Sequence, residues 1–154
     1  MSPETSQAAP YAVVDASVTL KWVLDDEDHV TEAIGLRDAW LAGQIALVAP
    51  SLWRYEMLNG LLVAERKGRL QGTEAREAIG DLLALGLPLA DPSSEAVYLQ
   101  ARRWNLTAYD GSYVALAAEL EAVLWSGDRS LVRSLAGSGA AVRWIGDWPS
   151  EPAR

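Results

Sequence analysis

Short apolar runs alternate along the chain with longer stretches of mixed apolar and polar residues, and the two patterns predict different elements. Tyr11 to Val14, Ile45 to Val48, Ala122 to Trp125 and Ala140 to Ile145 are largely apolar, β-branched-rich runs of strand length, the pattern of strands buried on both faces. A further run, Leu87-Pro-Leu-Ala90, is weakened as a strand by its proline. The mixed stretches predict helices. One is capped by Ser17 and carries Leu20, Trp22, Val23 and Leu24; the next covers Thr31 to Ala42 and stops at Gly43. A longer one opens at Pro50-Ser51, where Ser can cap, and ends at Lys67 before Gly68. Thr73 to Leu85 follows, with Thr73 to Arg76 close to a capping box but lacking its closing acid. Ser93 to Trp104 ends at Asn105, Thr107 caps a helix running through Leu120, and Arg129 to Ala136 forms a short last helix. Strands alternating with helices predict an α/β domain, an α/β/α sandwich whose mostly parallel sheet is covered on both faces. The domain spans residues 11–146, and residues 1–10 and 147–154 read as loose tails.

Composition narrows the function. The 154 residues are half hydrophobic, enough for one domain with a full core. With 21 acidic against 13 basic residues the formal charge is −8, which argues against broad, passive adhesion to nucleic acid and suits a basic protein partner. The acidic run Asp25 to Asp28 reads as a solvated helix end. There is no cysteine, hence no disulfide framework, thiolate metal site or Cys nucleophile. No apolar run reaches membrane-spanning length and the polar start carries no leader, so a cytoplasmic location is expected. His29 is the single histidine, so a Ser-His-Asp triad would have to be built around it.

Four acids stand apart because each falls where a strand ends or a helix begins. Asp15 follows Tyr11 to Val14, and Asp128 follows the run from Ala122 through Gly127. In parallel sheets, ligands bind outside the carboxyl ends of the strands. Asp110 lies in the first turn after Thr107, where the helix dipole favours a carboxylate by roughly 0.3 to 1 kcal/mol. Glu56 lies on the helix opened by Pro50, and Asn59, three residues on, shares its face. Carboxylates gathered within ~5 Å repel by about 3 kcal/mol per adjacent pair at an effective dielectric near 20, so such a cluster calls for a cation or for proton uptake. An all-oxygen donor set without His or Cys selects Mg²⁺ or Mn²⁺ over zinc. Such an ion can lower the pKa of a water, orient it in line with a phosphodiester and stabilise the departing oxygen.

Four segments together carry a family resemblance. They are Val13-Val-Asp15-Ala-Ser17-Val18 with Lys21-Trp22, Pro50-Ser-Leu-Trp-Arg-Tyr-Glu56-Met-Leu-Asn59, Leu106-Thr-Ala-Tyr109-Asp110-Gly-Ser-Tyr113-Val-Ala-Leu-Ala117, and Ser126-Gly-Asp128-Arg-Ser-Leu131. In this order and spacing they resemble the PIN-domain family, specifically VapC-type toxin ribonucleases, from about Ala12 to Ile145. The resemblance implies that Asp15, Glu56, Asp110 and Asp128 bind Mg²⁺ or Mn²⁺ and carry catalysis, with Glu56 either a ligand or the group that orients the attacking water. It also implies supporting roles for Ser17, Asn59, Ser126 and Arg129. Ser126 stands where the family has Thr or Ser before its last acid, to hold a neighbouring carboxylate or a water. Gly111 replaces the usual alanine after the third acid, which costs ~1 kcal/mol of helix propensity. The implied function is cleavage of single-stranded RNA by activated water, leaving a 5′ phosphate. The implied partners are an RNA substrate, a cognate antitoxin and a second copy of the chain, docked on exposed apolar patches around Trp22 and the Glu56 helix.

Other readings attach to particular residues. Most of the seven tryptophans suit the core, while Trp53 and Tyr109, near quartet acids, are candidates for stacking RNA bases. Arg54, Arg102, Arg103 and Arg129 either grip phosphates or are solvated helix residues. Gly137-Ser-Gly139 is no phosphate loop, since no Gly-Lys-Ser/Thr follows. A phosphate-accepting receiver domain needs a lysine at a later strand end, whereas Lys21 and Lys67 both fall on helices. A dehalogenase-type phosphatase needs a second Asp two residues after the first, where this chain has Ser17. The competing function is a catalytically silent PIN module that binds protein or RNA.

Overall fold

Val13, Val14 and Leu124 are fully buried, so the strands that carry them must lie inside a sheet covered on both faces. The computed structural model describes residues 7–149 and places them so. Strands β1 (Tyr11–Val14), β2 (Ala46–Val48), β3 (Val123–Ser126) and β4 (Val142–Trp144) form one sheet in the order β2-β1-β3-β4. All three pairings are parallel, with Val13 opposite Val48 on one side and Leu124 on the other. Helices α1 (Ala16–Thr19), α2 (Val30–Leu41), α3 (Trp53–Arg66), α4 (Gly72–Ala84), α5 (Ser94–Trp104), α6 (Ala108–Glu119) and α7 (Arg129–Ser134) flank the sheet. Single 3-10 turns occupy Leu20–Trp22 and Ile145–Asp147. The fold is thus the α/β sandwich with a parallel sheet that the patterns predict.

The chain leaves β1 toward β2 on one side and returns to β3 on the other. The carboxyl ends of β1 and β3 therefore flank a topological switch point, where parallel sheets open a crevice for ligands. Helix stops follow the sequence signals: Gly43 and Gly68 are both at φ +76°, and Asn105 closes α5 in the left-handed region. Thr107 and Ser93 cap α6 and α5 with their hydroxyls.

Local assignments differ in five places. Asp15, not Ser17, caps α1, its carboxylate accepting the Val18 N–H. Ser51 does not cap α3; its own N–H donates to Asp91 at 2.9 Å. The capping box sits two residues early, between Gln71 and Glu74. Leu87 to Ala90 forms only an isolated bridge through Leu89 to Ala49, the pairing that a proline-interrupted run still allows. Trp148 packs against the core, edge-on to Trp125 at 5.0 Å, rather than joining a loose tail. Residues 1–6 and 150–154 of the two expected tails lie outside the described residues. Among the described residues no helix is long and apolar enough to cross a membrane.

Candidate active site

β1 and β3 end side by side, and the first residues beyond them lock together. Asp15, 8% exposed, follows β1 directly, and its backbone N–H donates to the Trp125 carbonyl on β3. Its carboxylate accepts from the Ser17 hydroxyl and the Val18 N–H, and from the hydroxyl of fully buried Ser126. Ser17 also binds the opposite loop, its Oγ accepting the Gly127 N–H at 2.8 Å, while Ser126 Oγ accepts the Asp128 N–H within its own loop at 3.0 Å. A Cβ at Gly127 would press on Ser17 Oγ at 3.2 Å and Lys21 Cε at 3.1 Å, so a larger residue there would make these side chains give by a few tenths of an ångström.

The other three acids arrive from separate elements. Asp128 caps α7, one oxygen accepting the Ser130 and Leu131 N–H groups, and it is exposed. Asp110 lies in the first turn of α6, its N–H held by Thr107 Oγ1 at 3.1 Å. Glu56, in the first turn of α3, is half-buried and accepts from the Tyr113 hydroxyl at 2.6 Å. The α3 helix is fastened beside α1 by Trp53, whose indole N–H donates to Thr19 Oγ1 at 2.9 Å in the core.

The four acids form an electrostatic series from Asp15 to Glu56, Asp110 and Asp128. Burial pushes the Asp15 carboxyl up to about 6 against the lowering influence of its hydrogen bonds, and the Glu56 charge adds to the rise. Burial raises Glu56 as well, opposed by the Tyr113 hydrogen bond and assisted by the charge of Asp110. Asp110 is raised by burial and by Asp128. Each acid thus raises the next through its negative charge, pair by pair along the series. They do not form a closed cage: among the described residues no three Asp, Glu or His side chains stand close enough together, as placed, to hold a metal ion. The donor set is all oxygen, which suits Mg²⁺ or Mn²⁺, and the raised carboxyls mark where a cation would relieve the most strain.

Asn59 is exposed one helical turn beyond Glu56. Arg129 is exposed, its guanidinium 4.1 Å from the centre of the Trp144 ring, and His29 meets the same ring in a T-shaped arrangement at 4.6 Å. Trp53 is 2% exposed and is therefore a core residue, not a stacking platform, whereas Tyr109 is 68% exposed beside Asp110. A cleft of about 380 Å³ runs from Asp128 past Gly127 and Arg129 to Lys21 and His29. A larger one, about 870 Å³, lies between α5 and the start of α6 and contains none of the four acids.

Two residues here escape the sequence reading. Tyr113 follows Asp110 by three positions, the spacing that puts both on one helical face, but its apolar ring reads as one more core position of α6. Lys21 is buried with its ammonium on the Asp28 carbonyl at 2.6 Å, a contact without local signature.

No family model matches the chain, and no curated protein matches it. Among solved structures it is similar to the crystal structure of PAE2754 from Pyrobaculum aerophilum, with a TM-score of 0.65 and 25% identity, over 91% of this chain and 92% of that one.

Proposed function

We propose that the chain is a metal-dependent endoribonuclease of the PIN-domain, VapC-like kind, the toxin of a toxin–antitoxin pair, acting in the cytoplasm on single-stranded RNA. The observation that supports this reading is the chain of charge effects that runs from Asp128 to Asp110, from Asp110 to Glu56 and from Glu56 to Asp15, acids on four elements, three of them raised, with Asp15 at the carboxyl end of β1 beside β3. A Mg²⁺ or Mn²⁺ ion bound there supplies charge neutralisation and a water of lowered pKa. The residues do the rest. Ser17 and Ser126 hold the Asp15 carboxylate in place. Glu56, raised by burial, is suited to take or orient the proton of an attacking water. Asp110 and Asp128, coupled to Glu56 through Asp110, would supply further oxygen ligands. Tyr109, exposed next to Asp110, offers a face for an RNA base.

The test is cleavage of a short labelled single-stranded RNA with Mg²⁺ or Mn²⁺, with and without a chelator. Cleavage that stops with chelator, and falls at least about 100-fold in Asp15→Asn and Asp110→Asn, is expected from the loss of groups organising a metal site. Cleavage insensitive to chelator overturns the reading. The silent-module alternative also has an observation in its favour: Asp15 and Asp128 both serve as helix caps, and the acids as placed form no closed cage. Tight RNA binding without turnover at any metal concentration decides for that alternative. Exposed Tyr55 and Leu62 on α3, and Tyr98 and Leu99 on α5, provide apolar surface for a second copy or an antitoxin. Trp22 is instead turned inward, its indole N–H on the Ala33 carbonyl and its ring stacked on Trp40.

A further inference from the structure

Tyr113 is 2% exposed, and its ring packs in the core like the apolar residues around it on α6. Its hydroxyl behaves differently. It donates to Glu56 Oε1 at 2.6 Å, across 57 residues of chain. One hydroxyl thus ties α6, which carries Asp110, to α3, which carries Glu56. Burial and the neighbouring carboxylates push the Tyr113 hydroxyl far above its ordinary value.

A glutamate on a helix surface has three rotatable bonds and turns toward water unless something holds it. We propose that Tyr113 is a positioning residue whose hydroxyl fixes the Glu56 carboxylate toward Asp15 and Asp110, an inference that rests on the ribonuclease reading of this site. A carboxylate held by one oxygen presents the other in a constant direction, which is how partners behind the ligands tune a metal site.

Tyr113→Phe keeps the ring and deletes only the donor. Mn²⁺ affinity of the RNA-free protein, read by calorimetry, is expected to fall about 10–100-fold, the range for losing such a partner. The kcat for a short RNA falls by a similar factor while KM changes less than about threefold, as for a group that acts on alignment rather than uniform binding. In a Glu56→Ala background the same change has little further effect on Mn²⁺ affinity, because Tyr113 then has no carboxylate to hold. Crystal structures of the wild type and Tyr113→Phe place Glu56 in different rotamers. An unmoved Glu56, or an equal loss of Mn²⁺ affinity with and without the Glu56 side chain, overturns the proposal. A wild type that neither binds Mn²⁺ nor cleaves RNA defeats the ribonuclease reading instead, and the Glu56 rotamer then decides the positioning role alone. Should the Phe variant not fold, the wild-type Tyr113 hydroxyl proton provides the measurement. It is expected as a slowly exchanging NMR resonance that is lost in Glu56→Ala, and its persistence there sinks the proposal.

Discussion

Asp15 has two tasks that pull its protonation in opposite directions. As the cap of α1 and acceptor for Ser17, Ser126 and Val18 it works as a carboxylate, yet its burial favours the neutral acid and holds its pKa at about 6. The folded, metal-free protein therefore keeps a proton on Asp15 that the unfolded chain has already released. Its contribution to stability is fully present below the ordinary carboxyl value of 3.8 and is lost as pH rises through about 6. Ionising it at neutral pH costs roughly 3 kcal/mol, taking 1.36 kcal/mol per pKa unit for a buried group. Asp15→Asn removes this titration. In chelator, denaturant melts of the wild type are expected to lose stability between about pH 4 and 6.5 relative to Asp15→Asn. The variant is then as stable as the wild type or more so at pH 7. A wild-type curve parallel to the variant's across that window would show that Asp15 is ionised throughout at no cost. Asp26 and Asp91 are lowered by their hydrogen bonds to Arg69 and Ser51, so their contributions run the opposite way, lost as pH falls below the ordinary carboxyl range. Both groups are present in the two proteins and cancel in the comparison.

At the scale of elements, Gly111 shows what the sequence leaves implicit. On helix propensity alone a glycine in α6 costs ~1 kcal/mol, and alanine should improve it. The packing reverses that sign: a Cβ at Gly111 would lie 2.8 Å from Ala101 Cβ and 3.2 Å from the Val97 carbonyl on α5. Relieving the clash means moving a helix, since neither atom is the end of a flexible side chain. Gly111→Ala is therefore expected to destabilise by about 1–3 kcal/mol, as overpacking does, and Ala101→Gly in the same chain should restore much of the loss. A stabilised Gly111→Ala in thermal melts would mean that α5 and α6 lie further apart. Much at this scale was legible locally. Thr107, Ser93, Asn105, Gly43 and Gly68 act where their side chains or their tolerance of positive φ dictate, and such signals need no tertiary information. The acids were placed at the correct strand ends and helix starts for the same reason. Other features depend on partners distant in sequence. Asp15 and Ser17 carry the same capping signature, and the neighbouring Gly127 N–H claims the serine. Trp53 reads as a stacking residue until Thr19 meets its indole. Tyr113 reads as core until Glu56 appears opposite its hydroxyl.

Across the whole molecule, the net charge of −8 and the mutually repelling acids set one balance. Asp15, Glu56 and Asp110 each feel the negative charge of the next acid in the series, a repulsion that protons relieve at low pH and that a divalent cation would relieve near neutrality. Anything that binds the folded state alone stabilises it by mass action, about 2.7 kcal/mol at a hundredfold excess over Kd. In a domain of this size that corresponds to a rise in Tm of about 5–10 °C. Mn²⁺ or Mg²⁺ at millimolar concentration is accordingly expected to raise the melting temperature at pH 7.5. The rise should be smaller at pH 5, because there the proton on Asp15, whose pKa is about 6, competes with the ion. Asp15→Asn and Asp110→Asn should abolish most of it at both pH values. The pH dependence separates a site made of these carboxylates from ions scattered over an acidic surface. Scattered ions would stabilise the two variants as much as the wild type, and added monovalent salt would screen their effect away. A Tm that does not move across a full titration would mean that the four acids are held by their caps and hydrogen bonds alone. The molecule would then be a binding module rather than a nuclease.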